Sequence, residues 1–497
     1  TNPPLAGVEY TIYKVDETCE DDGDAERYIE DNQIEGITKT TGEDGTVVFD
    51  NLELGRYYVK VTDYPDGATN YESFLVDIPM TNETGTGWDY DITVEPKIQT
   101  AFGNLELTKV DSFGNPIEGV TFKLQIKGNY LSLEDVPADF WIDYVPKGSD
   151  EVLTVTTNKN GKIKLENLPT TKYGIQYRLV EVSAPEGYII NNSVLSLLFF
   201  DVDSNGKIEI PFSEIINDSS IFKDIKIENN LTSFTLVNEK PNIVKKVENS
   251  EGEFVDNIGA NITDRLTFKI TADVPMQIAF MKTYKITDEL PQGIILDRDS
   301  IKIEGTTADG SEIIPEDMYT LSQDGLELTF DTSKMYNEEI FYPKYNNIII
   351  TYEATIDKDN IVIGGDGNIN IATLEYTNNI GEMVYGEDPE TGEYDFPEIS
   401  TTTVSDTAEV HTGAVLLEKV EKGNVSTKLA GAKFKIATTK ENAEDGIFVQ
   451  DETGEDIEVT TGDNGQATIE GLKYADDGSN TLYWLVETQA PSYVEDG

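Results

Sequence analysis

One pattern of three elements occurs three times in this chain, and it constrains the fold more than any other feature of the sequence. The first element reads "PLAGVEYTI" at 4–12, "PIEGVTFKL" at 116–124 and "KLAGAKFKI" at 428–436. The second reads "TTGEDGTVVFDNL" at 40–52, "TTNKNGKIKLENL" at 156–168 and "TTGDNGQATIEGL" at 460–472. The third reads "YYVKVTDYP", "YRLVEVSAP" and "YWLVETQAP". Each element alternates apolar and polar residues, is rich in Val, Ile, Thr and Tyr, and is bounded by Gly, Asp and Asn, which is the signature of short strands and tight turns. A recurring unit of this kind implies three copies of one β-domain. A different domain separates copies two and three, between "NEKP" (238–241) and "VHTGAV" (410–415).

No long stretch keeps helical spacing, and runs such as "NIIITYEATI" continue the alternation through the odd domain. The expected fold is all-β, with tandem Ig-like β-sandwich domains in an elongated array. The expected domains are 1–97, 98–240, 241–412 and 413–497. The copies differ at their ends: copies two and three carry a preceding strand, "LELTKVD" and "VLLEKVE", that copy one lacks, and copy three stops at "APSYVEDG". The chain is therefore expected to be trimmed at both ends.

With 38% apolar and 9% aromatic residues, a net charge of −57 describes a repulsive surface rather than disorder. That surface argues against nucleic acid and anionic membranes as partners, and no apolar run is long enough to span a bilayer. The single cysteine, Cys19, excludes an internal disulfide and gains no role from the sequence. The single histidine, His411, excludes a multi-histidine metal site and argues against a Ser-His-Asp triad. No cofactor or metal is expected. "DVDSNGKIEIPF" (201–212) begins like a calcium loop with Asp201, Asp203 and Asn205, but Phe212 stands where such a loop needs a bidentate acid, so a hairpin turn is the better reading.

Strand phase singles out a few polar residues. Lys109 shares a face with Leu105 and Leu107, Glu181 with Tyr177 and Leu179, and Asn238 with Phe234 and Leu236. A buried lysine and glutamate are costly unless paired or neutral. An apolar pocket that keeps the amine neutral makes it a nucleophile, and the same pocket keeps a carboxyl protonated. Attack on the Asn carboxamide with loss of ammonia would give a Lys–Asn isopeptide bond. A buried Lys–Glu ion pair with the asparagine as a bystander satisfies the same phase.

"YRLVEVSAPEGY" and "YWLVETQAP" resemble the E-box of collagen-adhesin B-type (CnaB-like) domains. In that family the glutamate promotes a Lys–Asn crosslink. The resemblance implies Glu181 as the promoting acid with Lys109 and Asn238 as partners. In copy three it implies Glu487 with Lys419, the asparagine being expected beyond Gly497. Copy one has Val61 at the glutamate position, and no bond is expected there. The stretches "IVKKV", "YKITDELPQGI" and "NIATLEYTNN" resemble the D2-type (CnaA-like) isopeptide domain of fimbrial shaft proteins. This implies a Lys245–Asn370 bond assisted by Asp288, with Lys246 and Glu289 as the out-of-phase alternatives. Each bond is expected to tie an early strand to the closing strand of its domain.

Lys97 is different. In "WDYDITVEPK" the alternation puts Tyr90, Ile92, Val94 and Pro96 on one strand face and Lys97 on the other, toward solvent. The stretch resembles the pilin motif of Gram-positive, sortase-assembled major pilins, with Glu95 in place of the usual tyrosine. The resemblance implies Lys97 as the nucleophile that takes the C-terminal threonine of a neighbouring subunit from a class C sortase. The resemblance implies the structural backbone subunit of a covalent, cell-wall-attached extracellular pilus. It is not an enzyme beyond its own crosslinking, and its partners are identical subunits head-to-tail, the sortase, minor pilins and host ligands. The competing reading is a cell-wall-anchored adhesin using the β-domains as a stalk. A secreted enzyme lacks any convincing catalytic cluster.

Overall fold

The computed structural model describes residues 4–127, 141–191, 199–211, 222–228, 231–337, 343–380, 385–387, 394–395, 400–451, 453–475 and 481–491. Strands dominate it, as the alternation requires; the described α-helices, Asp22–Asn32 and Lys440–Asp445, are short insertions capped by Asp21 and Thr439. The chain forms two compact units. One comprises Thr1–Pro185, Ile190–Asn238 and Gly381–Glu398; the other comprises Glu186–Ile189, Glu239–Ile380 and Ile399–Gly497.

In the first unit, copy one is a sheet in the order Ile37–Thr40, Glu9–Val15, Gly55–Asp63, Phe74–Ile78. Val47, Phe49 and Leu52 of its second element pack on the core around Val8, Tyr10 and Ile12 without forming a strand. In copy two the equivalent residues do form a strand, Lys162–Pro169, because Phe102–Val110 offers them a partner. Copy two has two sheets. One orders Lys162–Pro169, Phe102–Val110, Leu231–Val237 and Phe222–Glu228; the other centres on Thr121–Lys127, Ile175–Ser183 and Phe199–Val202. Its opening strand, Phe102–Val110, and its last described strand, Leu231–Val237, run parallel and adjacent, with Leu236 opposite Lys109.

In the second unit, two six-stranded sheets enclose one continuous core. The first orders Phe254–Val255, Ile243–Glu248, Arg265–Asp273, Asn347–Ile356, Ile294–Thr307 and Gly310–Ile313. The second orders Asn257–Gly259, Thr401–His411, Asn368–Thr377, Tyr284–Glu289, Leu326–Phe330 and Tyr319–Leu321. Copy three follows, with Gly413–Glu418 paired to Gln466–Leu472, and Lys433–Ala437 lying between Glu458–Thr460 and Trp484–Gln489.

Two local devices recur in all three copies. The second threonine of each "TT" pair clamps the first element. Thr41 Oγ1 accepts from Val8 N–H and donates to Leu5 O; Thr157 does the same to Val120 and Ile117, and Thr461 to Ala432 and Leu429, at 2.7–3.0 Å. A register shift then falls directly before Tyr10, Phe122 and Phe434, which sit opposite Val61, Glu181 and Glu487 respectively. A bulge re-aims the next side chain, so the repeat presents an aromatic ring beside the E-box position each time.

Thr157→Val keeps the shape of this buried side chain but leaves the Val120 N–H without its acceptor. The expected loss is about 1–3 kcal/mol, read as an earlier thermal transition than in Thr121→Val, which alters only a sheet-surface Thr–Thr contact. Equal melting of the two variants would remove the clamp from the account of stability.

Candidate isopeptide sites

Lys109, Glu181 and Asn238 are buried together, as strand phase requires, at 1–2% exposure. Glu181 reaches across from the facing sheet. Its Oε2 accepts from Lys109 Nζ at 3.0 Å, and its Oε1 accepts from Asn238 Nδ2 at 2.5 Å. The Asn238 N–H donates to Val110 O at 2.9 Å, which continues the parallel pairing by one residue and sets the carboxamide beside the lysine strand. Lys109 Nζ lies 5.6 Å from the centre of the Phe122 ring. Burial pushes the Lys109 ammonium below its ordinary pKa, and Glu181 opposes that shift.

The second constellation has the opposite layout. Asp288 and Asn370 belong to one sheet, where Asp288 pairs with Ala372, so acid and amide are diagonal neighbours on adjacent strands. Lys245 comes from the facing sheet. All three are at most 4% exposed. Lys245 Nζ donates to Asp288 Oδ1 at 2.7 Å and to the Tyr352 hydroxyl at 3.1 Å. The Tyr352 hydroxyl donates to Asp288 Oδ2 and accepts from Asn370 Nδ2 at 2.7 Å. Asn370 Oδ1 has no hydrogen-bond partner. The rings of Phe268 and Tyr352, 5.1 and 5.4 Å from Lys245 Nζ, wall the amine. Burial lowers the Lys245 pKa against the pull of Asp288, and raises that of Asp288 against Lys245 and Tyr352. Both shifts favour a neutral amine beside a neutral acid.

Lys246 and Glu289, the out-of-phase alternatives, point outward: Lys246 pairs with Asp256, and Glu289 is exposed. Two features depart from the sequence reading. Asn370 is not on the closing strand, because Thr401–His411 follows it and pairs alongside. Tyr352 is a member of the site that the sequence reading did not single out. Its place among Ile348, Ile350 and Ala354 marks it as buried, and no local signal distinguishes a tyrosine whose hydroxyl meets polar groups from one that only packs.

Copy three repeats half of the copy-two arrangement. Lys419 Nζ donates to Glu487 Oε2 at 2.7 Å and lies 5.7 Å from the Phe434 ring centre. The Lys419 N–H bonds Gly465 O and the Lys419 carbonyl accepts from Leu429, as Lys109 does with Gly161 and Ile117. The two side chains are 27% and 33% exposed, because no described strand covers them as Leu231–Val237 covers Lys109. In copy one, Val61 faces Tyr10 at the acid position.

Lys97 is exposed, its side chain 73% accessible, with only a 3.3 Å ion pair to the equally open Glu95. Exposed pairs of this kind contribute little. The expected strand around it is absent. Residues 92–98 pair with nothing and run between the short strands Trp88–Asp89 and Gln99–Thr100. Trp88, Tyr90 and Val94 are exposed rather than forming a covered face, and Ile98 alone of this stretch packs on the copy-one core. Pro96 lacks a donor and no neighbouring strand is in reach, so alternation had no sheet to act on.

Asp203 closes a hairpin: its Oδ1 accepts from the Asn205 and Lys207 N–H groups, and Asp201 pairs with Glu209 and accepts from Gln176. Phe212 lies outside the described residues. Among the described residues no group of three or more His, Cys, Asp or Glu is placed to hold a metal, and no helix is long and apolar enough to cross a membrane. Cys19 is buried, its thiol 3.7 Å from the Asp24 carbonyl.

Fold and sites together define an all-β protein of tandem sandwich domains, two of whose cores hold lysine, acid and asparagine together. The model of the SpaA prealbumin-like fold domain matches residues 1–89, 103–214 and 413–495, the three repeat copies and more than half of the chain. The chain belongs to that family. No curated protein matches it by sequence. Among solved structures it is similar to SpaD, the full-length major pilin of Corynebacterium diphtheriae (20% identity, TM-score 0.47, 79% of this chain and 88% of that one). It is also similar to BcpA, the major pilin subunit of Bacillus cereus (17%, 0.40, 79% and 90%), and to the Corynebacterium diphtheriae major pilin SpaA (13%, 0.41, 78% and 92%).

Glu181→Ala is expected to leave Lys109 and Asn238 unlinked while Lys245–Asn370 still forms, and Asp288→Ala the reverse. Intact mass registers each missing link as one ammonia retained, and peptide mapping assigns it. Each loop closed is large enough for a stabilisation of roughly 4–5 kcal/mol in the chain-entropy model, so each variant is expected to melt earlier and to yield faster to protease. Both links persisting in both variants would exclude the acids from the chemistry.

Proposed function

We propose that this chain is a structural backbone subunit of a covalently polymerised, extracellular, cell-wall-attached pilus. The observation that carries the reading is the contrast between its lysines. Lys109 and Lys245 are enclosed with an acid and an asparagine, whereas Lys97 stands open at the end of the pilin-like motif. The enclosed amines suit internal crosslinks: a neutral Nζ attacks the Asn carboxamide, the acid carries the proton, ammonia leaves, and Lys109–Asn238 and Lys245–Asn370 bonds result. Lys419 and Glu487 form the corresponding amine–acid pair of a third domain. The four domains are taken as 1–97, 98–240, 241–412 and 413–497.

The open amine suits a bond between subunits. A class C sortase would deliver the C-terminal threonine of one subunit to Lys97 of the next. A donor end meeting a fixed site on a different surface is a heterologous contact, so growth runs on as a filament instead of closing into a ring. The chain is then the substrate of an enzyme and performs no turnover of its own. Minor pilins and host ligands complete its expected partners.

Lys97→Ala in the pilus-forming host tests this. High-molecular-weight ladders on denaturing gels are expected to collapse to monomer, while the internal links persist by mass. Ladders that survive would assign the intersubunit bond to another lysine.

A further inference from the structure

Tyr352 answers a geometric problem that the first site does not have. Glu181 comes from the opposite sheet and touches amine and amide directly, one with each oxygen. Asp288 is one methylene shorter and shares a sheet with Asn370. Diagonal neighbours on adjacent strands stand about 7–8 Å apart at the backbone, and here the acid and the amide each bond to Tyr352. Asp288 Oδ1 meets Lys245, but its other oxygen meets Tyr352, and the Asn370 amide nitrogen meets Tyr352 rather than the acid. The hydroxyl is 3.1 Å from the amine as well. One buried oxygen thus contacts all three members of the constellation. The ring is held in that position by stacking on Phe268, centroid to centroid 5.4 Å, and by a residue exposure of 1%.

We propose that Tyr352 is a catalytic proton relay for the Lys245–Asn370 link, completing with Asp288 what Glu181 does alone at the other site. This rests on the reading of Lys245 and Asn370 as a crosslinking pair. As the Lys245 Nζ–Asn370 Cγ bond forms and the Cγ–Nδ2 bond breaks, an amine proton passes to Asp288 Oδ1. With Asp288 protonated the bond to Tyr352 runs from Oδ2–H to the phenol oxygen, the reverse of its direction beside a carboxylate; that proton passes to the Tyr352 oxygen, and the Tyr352 hydroxyl proton passes to Nδ2. Nitrogen leaves as ammonia; the acid and the phenol end as they began. In the carboxamide, Nδ2 donates to the hydroxyl. Once its carbon becomes tetrahedral, the nitrogen has a lone pair and can accept from the same group. Burial holds the phenol well above its ordinary pKa, so it enters the reaction protonated.

The test is a time course of link formation in freshly synthesised full chain, read by intact mass and peptide mapping. Tyr352→Phe removes one oxygen and is expected to slow the Lys245–Asn370 link by about 100-fold or more, the range for a lost general acid–base group. Lys109–Asn238 in the same molecules is the internal reference and is expected to keep its wild-type rate. Tyr284→Phe, which removes another buried hydroxyl of the same core, one that donates to Asp273 O at 2.8 Å, is expected to leave both links unchanged. Asp288→Glu combined with Tyr352→Phe supplies the missing reach and is expected to restore the slow link in part, which a merely structural tyrosine would not allow. A wild-type rate in Tyr352→Phe, or no gain in the double variant, would overturn the relay. A folded wild-type chain that never links Lys245 to Asn370 while linking Lys109 to Asn238 would overturn the crosslinking reading on which it rests.

Discussion

The interaction on which the rest depends is a lysine amine enclosed beside a carboxyl group inside a β-sandwich. Such a pair is a poor source of stability in itself, because desolvating two charges costs several kcal/mol or more per ion before any attraction is counted. The cores around Lys109 and Lys245 are built to hold it nonetheless, with aromatic rings against each amine and an asparagine in contact with the acid or its tyrosine. The same desolvation that penalises the ions favours a free amine and a protonated acid at Lys245 and Asp288. Burial that would be a defect in an ordinary core is the condition for the proposed chemistry.

The two sites solve one problem with opposite layouts. In copy two, amine and amide lie on adjacent parallel strands and the acid arrives from the other sheet. In the interposed domain, acid and amide lie on adjacent strands and the amine arrives from the other sheet, so the acid is one step removed from the amide and a hydroxyl intervenes. This difference matches the contacts: Glu181 meets both partners directly, whereas Asp288 meets the amine and Tyr352 meets the amide. In the second domain the proposed tie would engage an internal strand: Asn370 sits beside the acid strand, whereas Thr401–His411 lies one strand farther out.

The repeat has a conserved frame and a variable filling. In all three copies a threonine hydroxyl clamps the first element, and a bulge aims an aromatic ring beside the E-box position. That position holds Val61 in copy one and glutamate in the other two. The frame is therefore common to the three copies, while the acid is absent from copy one. At Lys419, where among the described residues no strand covers the pair as Leu231–Val237 covers Lys109, the pair is partly open to water. Enclosure is supplied by the closing strand and not by the pair.

Much of this was legible in the sequence, because strand alternation reports burial wherever a strand is paired on both sides. It separated Lys109 and Lys245 from Lys246, and Asp288 from Glu289, and the repeats located copies of one domain. It misjudged the stretch around Lys97, where alternation is present but residues 92–98 have no neighbouring strand and Trp88, Tyr90 and Val94 stay exposed. It placed Asn370 on a closing strand, because order along the chain does not give order within a sheet. It passed over Tyr352, since a buried tyrosine in an Ile-rich strand looks the same whether its hydroxyl meets a polar group or not. Which residues face inward was set by local sequence. Which inward-facing groups meet was decided only when two sheets closed over each other, because those contacts join strands far apart in the chain.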